Sequence, residues 1–198
     1  MFDPLADSEN ETVIAELTRR SGVKGIDNML DGFTDIVTSI AKLPRCVNHN
    51  DFHSRNVFFR YEKQGPVTYA IDWASIGLGP VGYDCGTLAA SGIIRSENEA
   101  RLIAEIEGHM FTEYLARLSE AGYRHERDVV RLGYLSSIAV FITGYAVAVT
   151  MTPEAPAVKR YSGWFGVEGD EFFDELALRL RTFKPLFDEA VSLTRKLG

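Results

Sequence analysis

The stretch HNDFHSRN at 49–56 places two histidines, an aspartate and two asparagines within eight residues, between apolar segments. Three kinds of chemistry use such side chains: a metal centre, a hydrolytic centre, and the catalytic loop of a phosphoryl-transfer enzyme. Each chemistry requires different partner residues at other places in the chain. The rest of the sequence therefore discriminates among the three.

A metal centre is the first alternative. His49, Asp51 and His53 alternate, so on an extended strand their side chains would share one face and could ligate zinc or iron. A distant histidine, His109 or His125, would complete a facial triad for non-haem iron. The chain has only four histidines, and His109 lies beside the apolar stripe of a predicted helix, which disfavours this alternative.

The segment GLGPVG at 77–82 matches the GxGxxG pattern of dinucleotide-binding loops. In such proteins the pattern occupies the first β–α turn of a parallel βαβ unit. Here Pro80 lies inside the pattern, and no regular alternation of strands and helices follows it. We therefore interpret these glycines as turn residues, whose small size would also let the backbone pass close to a bound ligand.

Phosphoryl transfer accounts for more of the polar residues at once. The reaction needs a carboxylate that orients or deprotonates the attacking hydroxyl, and oxygen ligands that hold Mg²⁺ against the phosphates. A kinase catalytic loop supplies the aspartate of an HxD motif, an asparagine five residues later, and an aspartate at the end of a following strand. Asp51, Asn56 and Asp72 occupy these three positions.

The motifs HNDFHSRNVFF at 49–59 and YAIDWASIGLGPVGYD at 69–84 resemble the catalytic half of the aminoglycoside phosphotransferase and choline kinase family, which is related to the protein kinases. The resemblance is specific over residues 45–90, and the helical remainder agrees with the family's C-terminal lobe in general character. It implies an α+β fold, mostly helical, in which a small β island carries the catalytic loop. It also implies ATP as the phosphate donor and Mg²⁺ as the metal.

The resemblance implies a role for each acidic or amide side chain that would touch the reacting groups. Asp51 would be the catalytic base, or the carboxylate that orients the attacking hydroxyl. Asn56 would ligate Mg²⁺ and help to shield developing negative charge. Asp72 would be the main Mg²⁺ ligand, in the place where protein kinases have the aspartate of DFG.

Four further residues would support this centre. The resemblance implies that His49 holds the loop through side-chain hydrogen bonds. It implies that Asp84 braces the loop, either as a helix N-cap or by binding backbone amides, and is not a metal ligand. His53 would line the site, and Trp73, directly after the metal-binding aspartate, would line it or pack beside it.

The sequence departs from the family before the catalytic loop. Kinase-like enzymes carry there an N-terminal lobe with a β-sheet, a phosphate-covering loop and a lysine–glutamate pair. Here the loop begins at residue 49, and the preceding residues are predicted to form two helices. We therefore expect residues 1–198 to be a single C-terminal lobe: a truncated chain, a product of a fragment gene, or half of a split enzyme. Alone it would have little or no activity, and its apolar lobe interface would favour self-association or binding of the missing lobe.

The phosphate acceptor is expected to be a small molecule with a hydroxyl group. Residues 161–175 combine aromatic rings with five carboxylates, which suits a cationic acceptor. Two alternatives remain beside this interpretation. In the first alternative, the chain would be a non-catalytic binding module that retains the shape of the lobe. In the second, it would be the histidine-ligated metalloenzyme described above.

The elements that must position these residues follow from hydrophobic periodicity and from breakers. Apolar residues recur at spacings of three and four over 26–40, which is typical of an amphipathic helix, and Pro44 ends it. Short segments rich in β-branched and aromatic residues surround the motif, with turn residues such as EKQGP between them. The predicted helices are 8–21, 26–40, 96–122, 128–150 and one or two helices within 170–197, and the predicted strands lie within 46–50, 56–61 and 67–73.

Composition narrows the class of protein. Apolar residues make up 45% of the chain and the net charge is −7, which indicates a globular protein and argues against nucleic acid or anionic membrane as a partner. The apolar run 134–149 is shorter than the roughly 20 residues of a membrane span, so we expect a buried helix there. The N-terminal residues lack a signal-peptide pattern, and Cys46 and Cys85 form no CxxC pair, so we expect reduced thiols in a cytoplasmic protein.

Overall fold

The computed structural model describes residues 8–26, 28–93, 97–124, 126–150, 162–163, 166–167 and 169–198. Within these residues the chain is mostly helical, with four short strands between the second and third helices, so the predicted α+β class with a small β island is confirmed. In chain order the elements are α1 (Ser8–Ser21), α2 (Met29–Ile40), β1 (Arg45–Asn48), β2 (Val57–Glu62), β3 (Gly65–Ala70), β4 (Gly77–Pro80), α3 (Tyr83–Ile93), α4 (Glu97–Glu120), α5 (Arg127–Thr150) and α6 (Gly169–Leu197).

The β island consists of two antiparallel pairs, β1 with β4 and β2 with β3. The second pair is a hairpin in which Glu62 pairs with Gly65. Its turn therefore lies within the EKQGP segment, where the sequence predicts it. The first pair joins segments about thirty residues apart in the chain, from Arg45 opposite Pro80 to Asn48 opposite Gly77. The prediction that this glycine segment is only a turn is wrong for 77–80, because these residues form β4.

Helix α5 is the centre of the helical body. Residues 130–139 are all buried, which confirms the predicted buried helix for the first part of the apolar run, up to Val140, which is exposed. Helices α2, α3, α4 and α6 all pack on it, and α6 also contacts α1. No helix within the described residues combines the length and the apolar character that crossing a membrane requires.

The closing segment is one helix, α6, which contains Pro185. Its buried face carries large apolar side chains at spacings of three and four, which pack into the common core. These side chains are Phe172, Leu176, Leu180, Phe183 and Phe187. The periodicity of the sequence therefore predicts the buried face of this helix.

The start of α3 is pressed directly against the backbone of α5. Gly82 has φ +96°, and a Cβ atom there would lie 2.7 Å from the carbonyl oxygen of Val130. A Cβ atom on Gly86 would lie 2.0 Å from the carbonyl oxygen of Tyr134. Only glycine permits this approach, since real Cβ contacts are not that short. As a result the first turn of α3, which carries Asp84, is fixed on the buried part of α5.

The two cysteines are free thiols, as predicted. Burial raises the pKa of the Cys46 thiol above its ordinary value, with the charge of Asp84 adding to the effect. Burial also raises the pKa of Cys85 to about 12. Both thiols therefore stay protonated at neutral pH, which makes them packing residues and not nucleophiles.

Candidate functional site

Residues 49–56 form a compact loop between β1 and β2. The backbone amide of His53 donates to the carbonyl of Asp51 at 2.9 Å, and the amide of Asn56 donates to the carbonyl of His53, also at 2.9 Å. The loop is therefore a series of tight turns. The extended strand that would align histidines and aspartate on one face is not formed here.

The loop brings Asp51 and Asn56 into direct contact. The side-chain nitrogen Nδ2 of Asn56 donates to the Asp51 carboxylate oxygen Oδ2 at 3.1 Å and to the Asp51 carbonyl at 3.0 Å. Asn56 is buried, whereas 46% of the Asp51 side chain is exposed. The amide nitrogen of Asn56 thus orients the carboxylate, and its amide oxygen is left as an acceptor.

His49 connects the loop to the segment that follows β3. Its side chain is 1% exposed, and its Nε2 atom lies 2.7 Å from the carbonyl oxygen of Ile71. Because a carbonyl only accepts hydrogen bonds, Nε2 must carry the proton and donate. The amide of Ile71 in turn donates to the carbonyl of Asn56 at 3.0 Å. His49 at the start of the loop and Asn56 at its end are therefore both bonded to Ile71, the residue before Asp72.

Asp72 lies beyond the end of β3. The strand stops at Ala70, so the prediction that Asp72 itself closes the strand is wrong by two residues. Asp72 has φ 61° and ψ 59°, a left-handed conformation that is uncommon for a residue with a side chain, and it begins the short 3₁₀ turn Trp73–Ser75. Its side chain is exposed, and no hydrogen bond within the described residues engages the carboxylate.

Trp73 packs against the loop. Its indole ring centroid lies 4.6 Å from that of His49, and its Nε1 atom donates to the carbonyl of Ala70 at 3.0 Å. The indole therefore closes the turn in which Asp72 sits. Nearly half of its surface is still exposed.

Asp84 holds the start of the loop through the backbone. One carboxylate oxygen accepts the amide of His49 at 2.6 Å and the other accepts the amide of Asn50 at 3.0 Å. A carboxylate that accepts two backbone amides forms charge-assisted hydrogen bonds, which are stronger than neutral ones. Since α3 is fixed on α5, this contact fixes the loop relative to the helical body.

His53 lies on the open side of Asp51. Its Nε2 atom is 3.5 Å from the Asp51 carboxylate oxygen Oδ1, and its Nδ1 atom accepts the amide of Arg55 at 3.2 Å. An Nδ1 atom that accepts must be unprotonated, so in this arrangement the ring proton is on Nε2, towards Asp51. The two oxygens of Asp51 therefore face different side chains, Asn56 on the buried side and His53 on the open side.

This loop and its surroundings match a known family. The model of the phosphotransferase enzyme family (APH) matches residues 5–123, more than half of the chain. The chain belongs to this phosphotransferase family. The matched residues include the loop at 49–56, Asp72 and Asp84, and the resemblance to aminoglycoside phosphotransferases is thereby confirmed. No curated protein and no solved structure matches the chain significantly.

The oxygen atoms of this candidate site suit Mg²⁺ better than zinc or iron. Within the described residues, no group of three histidine, cysteine, aspartate or glutamate side chains is placed to hold a metal ion. His109 is exposed on α4, and His125 lies outside the described residues. Mg²⁺ is bound by one or two carboxylates together with substrate phosphates, and does not need an all-protein cage. The unengaged Asp72 carboxylate and the Asn56 amide oxygen fit that requirement.

Two asparagines beside His49, one at the end of β1 and one in the loop, were given no role by the reasoning from sequence. Asn48 is buried and donates from Nδ2 to the carbonyl of Pro80 at 3.0 Å. Asn50 is left-handed, with φ 61°, and donates from Nδ2 to the carbonyl of Ser75 at 2.9 Å. The sequence does show an asparagine on each side of His49. Their roles were not predictable, because their bonding partners lie 32 residues from Asn48 and 25 residues from Asn50.

The β island and the turn that carries Asp72 also expose many large apolar side chains. We call this set the exposed apolar residues of the island, and it spans both faces of the hairpin, since the consecutive residues Phe58 and Phe59 of β2 point in opposite directions. Its members are Val47, Phe58, Phe59, Tyr61, Tyr69, Ile71, Trp73, Ile76 and Leu78. Exposed apolar surface of this kind is typical of sites that another protein covers.

Proposed function

We propose that this phosphotransferase transfers a phosphoryl group from ATP to the hydroxyl of a small molecule and requires Mg²⁺. The observation that carries the proposal is the arrangement of Asp51, Asn56 and Asp72 around one loop. Asn56 contacts Asp51 directly, and the residue before Asp72 is bonded to both His49 and Asn56. These groups supply the carboxylate and the oxygen ligands that phosphoryl transfer uses.

In this proposal Asp51 orients the acceptor hydroxyl and receives its proton. The Asn56 amide holds one carboxylate oxygen, so the other, on the open side towards His53, is the oxygen that meets the substrate. Asn56 and Asp72 would hold the metal through oxygen atoms. Mg²⁺ supplies charge neutralisation of the transferring phosphates when it is bound.

We propose further that the chain acts as the helical catalytic lobe of a kinase-like enzyme. The two elements before β1 that the structure describes are helices, and they pack on α5 and α6 and supply no strand for a nucleotide-covering sheet. A second lobe would then cover part of the exposed apolar residues of the island, and it would supply the loop over the phosphates. The two free thiols suit a reducing cytoplasm as the place of action.

We propose a cationic acceptor, in keeping with a net charge of −7. Of the segment 161–175 that we expect to contact it, residues 161, 164, 165 and 168 lie outside the described residues. The proposal therefore depends on charge and composition, and a panel of aminoglycosides and amino alcohols tests it.

Calorimetry with Mg²⁺ and a non-hydrolysable ATP analogue tests the proposed function. We expect weak binding that requires Mg²⁺ and falls at least tenfold in Asp72→Ala, because that change removes the main carboxylate ligand. Asp31→Ala, an exposed aspartate in the first turn of α2, is the matched control and should bind as the wild type. Nucleotide binding without metal dependence, or none at all, would instead identify a non-catalytic module.

A coupled turnover assay completes the test. The 198-residue chain should turn over slowly or not at all by itself, since half of the phosphate-binding groups would be missing. Fast turnover by this chain alone would refute the isolated-lobe part of the proposal and leave the phosphotransferase part intact.

A further inference from the structure

Asn50 occupies an unusual position in the loop, directly between His49 and Asp51. Its backbone is left-handed, with φ 61°, and its amide donates to Asp84 at 3.0 Å. Asparagine adopts this conformation more easily than most residues with a side chain. Its backbone is therefore held by α3 while its side chain is free to reach elsewhere.

The side chain of Asn50 reaches the turn that carries Asp72. Its Nδ2 atom donates to the carbonyl of Ser75, the last residue of that turn, at 2.9 Å. On its other side, the turn is held by the bonds of Ile71 to His49 and to Asn56. The backbone on both sides of Asp72 is thus bonded to the catalytic loop.

We call the hydrogen bond from Asn50 to Ser75 the Asn50 bridge. The glycines of β4 leave space for it. A Cβ atom on Gly77 would lie 3.1 Å from Nδ2 of Asn50, and one on Gly79 would lie 3.2 Å from its Oδ1. A Cβ on Gly79 would also lie 2.3 Å from Nδ2 of Asn48. Gly77 and Gly79 of GLGPVG therefore leave space for the amides of Asn48 and Asn50, which explains these two glycines without a dinucleotide.

We infer that Asn50 is a positioning residue that sets the placement of Asp72 relative to Asp51, and through it the affinity of the site for a divalent cation. The inference rests on the proposed function. Without the bridge, the turn is bonded to the loop on its Ile71 side only, and the Asp72 carboxylate samples more orientations. The metal then binds a less preorganised site.

Electron paramagnetic resonance with Mn²⁺ alone tests this inference, because Mn²⁺ prefers the same oxygen ligands as Mg²⁺. Asn50→Gly keeps the left-handed backbone and removes the bridge. We expect its Mn²⁺ dissociation constant to rise about three- to tenfold, as for loss of one hydrogen bond. Gln64→Gly, in the exposed hairpin turn, is the matched control and should bind Mn²⁺ as the wild type.

The outcomes separate the inference from the proposed function. If Asp72→Ala abolishes Mn²⁺ binding while Asn50→Gly binds as the wild type, the inference is wrong and the proposed function stands. If Asp72→Ala binds Mn²⁺ as the wild type, both are wrong. Gly77→Ala places a Cβ atom 3.1 Å from Nδ2 of Asn50 and pushes the amide off its position by a few tenths of an ångström without touching the loop sequence. Should Asn50→Gly fail to fold, a raised Mn²⁺ dissociation constant in Gly77→Ala supports the inference and an unchanged one overturns it.

Discussion

Replacing Asp84 by asparagine tests how the catalytic loop is held to the helical body. The change preserves the size of the side chain and removes its charge. The carboxylate now accepts the amides of His49 and Asn50 at 2.6 and 3.0 Å. Asparagine has a single side-chain oxygen, and its NH₂ group would face one of these two N–H donors. One loop amide must then lose its partner.

The expected cost follows from these two bonds. A hydrogen bond to a charged group contributes about 1.5–3 kcal/mol and a neutral one about 1 kcal/mol. Asp84→Asn exchanges two charged bonds for one neutral bond. Because Asn50 is exposed, water replaces part of the loss at that residue. We expect the free energy of unfolding to fall by about 2–3 kcal/mol, within the range for a broken hydrogen-bond network.

Urea unfolding measures this difference, with fluorescence as a probe because Trp73 packs on His49. The matched control is Asp35→Asn, an exposed aspartate of α2, whose stability should stay within about 0.5 kcal/mol of the wild type. The dependence of unfolding free energy on urea should have an unchanged slope. A loss below about 1 kcal/mol in Asp84→Asn would show that the loop is held mainly by other contacts, and would refute this reasoning.

Two further predictions concern the packing behind the loop. Burial raises the pKa of Cys85 to about 12, so its thiolate fraction at pH 8 lies about a thousandfold below that of an ordinary thiol. Alkylation followed by mass spectrometry should therefore find Cys85 unlabelled in the folded chain and labelled in urea. The same raised pKa predicts that stability is retained below pH 9 and falls as the pH rises towards 12, because the unfolded thiol ionises first. Gly86→Ala places a Cβ atom 2.0 Å from the carbonyl oxygen of Tyr134, and it should lower the free energy of unfolding measured in urea by about 3 kcal/mol or more. Its control is Gly108→Ala on α4, where the Cβ atom meets open space and should raise the free energy of unfolding by about 0.5–1 kcal/mol. Equal stabilities of these two variants would contradict the close packing of α3 on α5.

Local sequence patterns predicted the bounds of most helices, although they gave none for α3. The amphipathic spacing over 26–40 corresponds to α2, which begins at Met29, and the apolar run at 134–149 lies within α5. The hairpin of β2 and β3 also follows from local residues, since its turn is only two residues long. These elements were predictable because each is specified by neighbours in the chain, through side-chain periodicity or turn residues.

Strand β4 could not be predicted from its own residues. Gly77–Pro80 has the composition of a loop, and it forms a strand only because β1, about thirty residues earlier, pairs with it. Its glycines are explained by the asparagine amides that lie against them. Neither the pairing nor the amides leave a local pattern, because both depend on which distant segments the fold brings together.

The sequence by itself determined the chemistry available at the site. The types and spacing of Asp51, Asn56 and Asp72 indicate oxygen ligands and a carboxylate base, and they identify the phosphotransferase resemblance that the family match confirms. Only the tertiary structure decided how those groups are held: Asp84 binds the loop amides, and Asn50 bonds the turn beyond Asp72. The physical reason is that a motif specifies side chains, whereas their orientation depends on hydrogen bonds between residues 25 to 35 positions apart, which meet only in the folded chain.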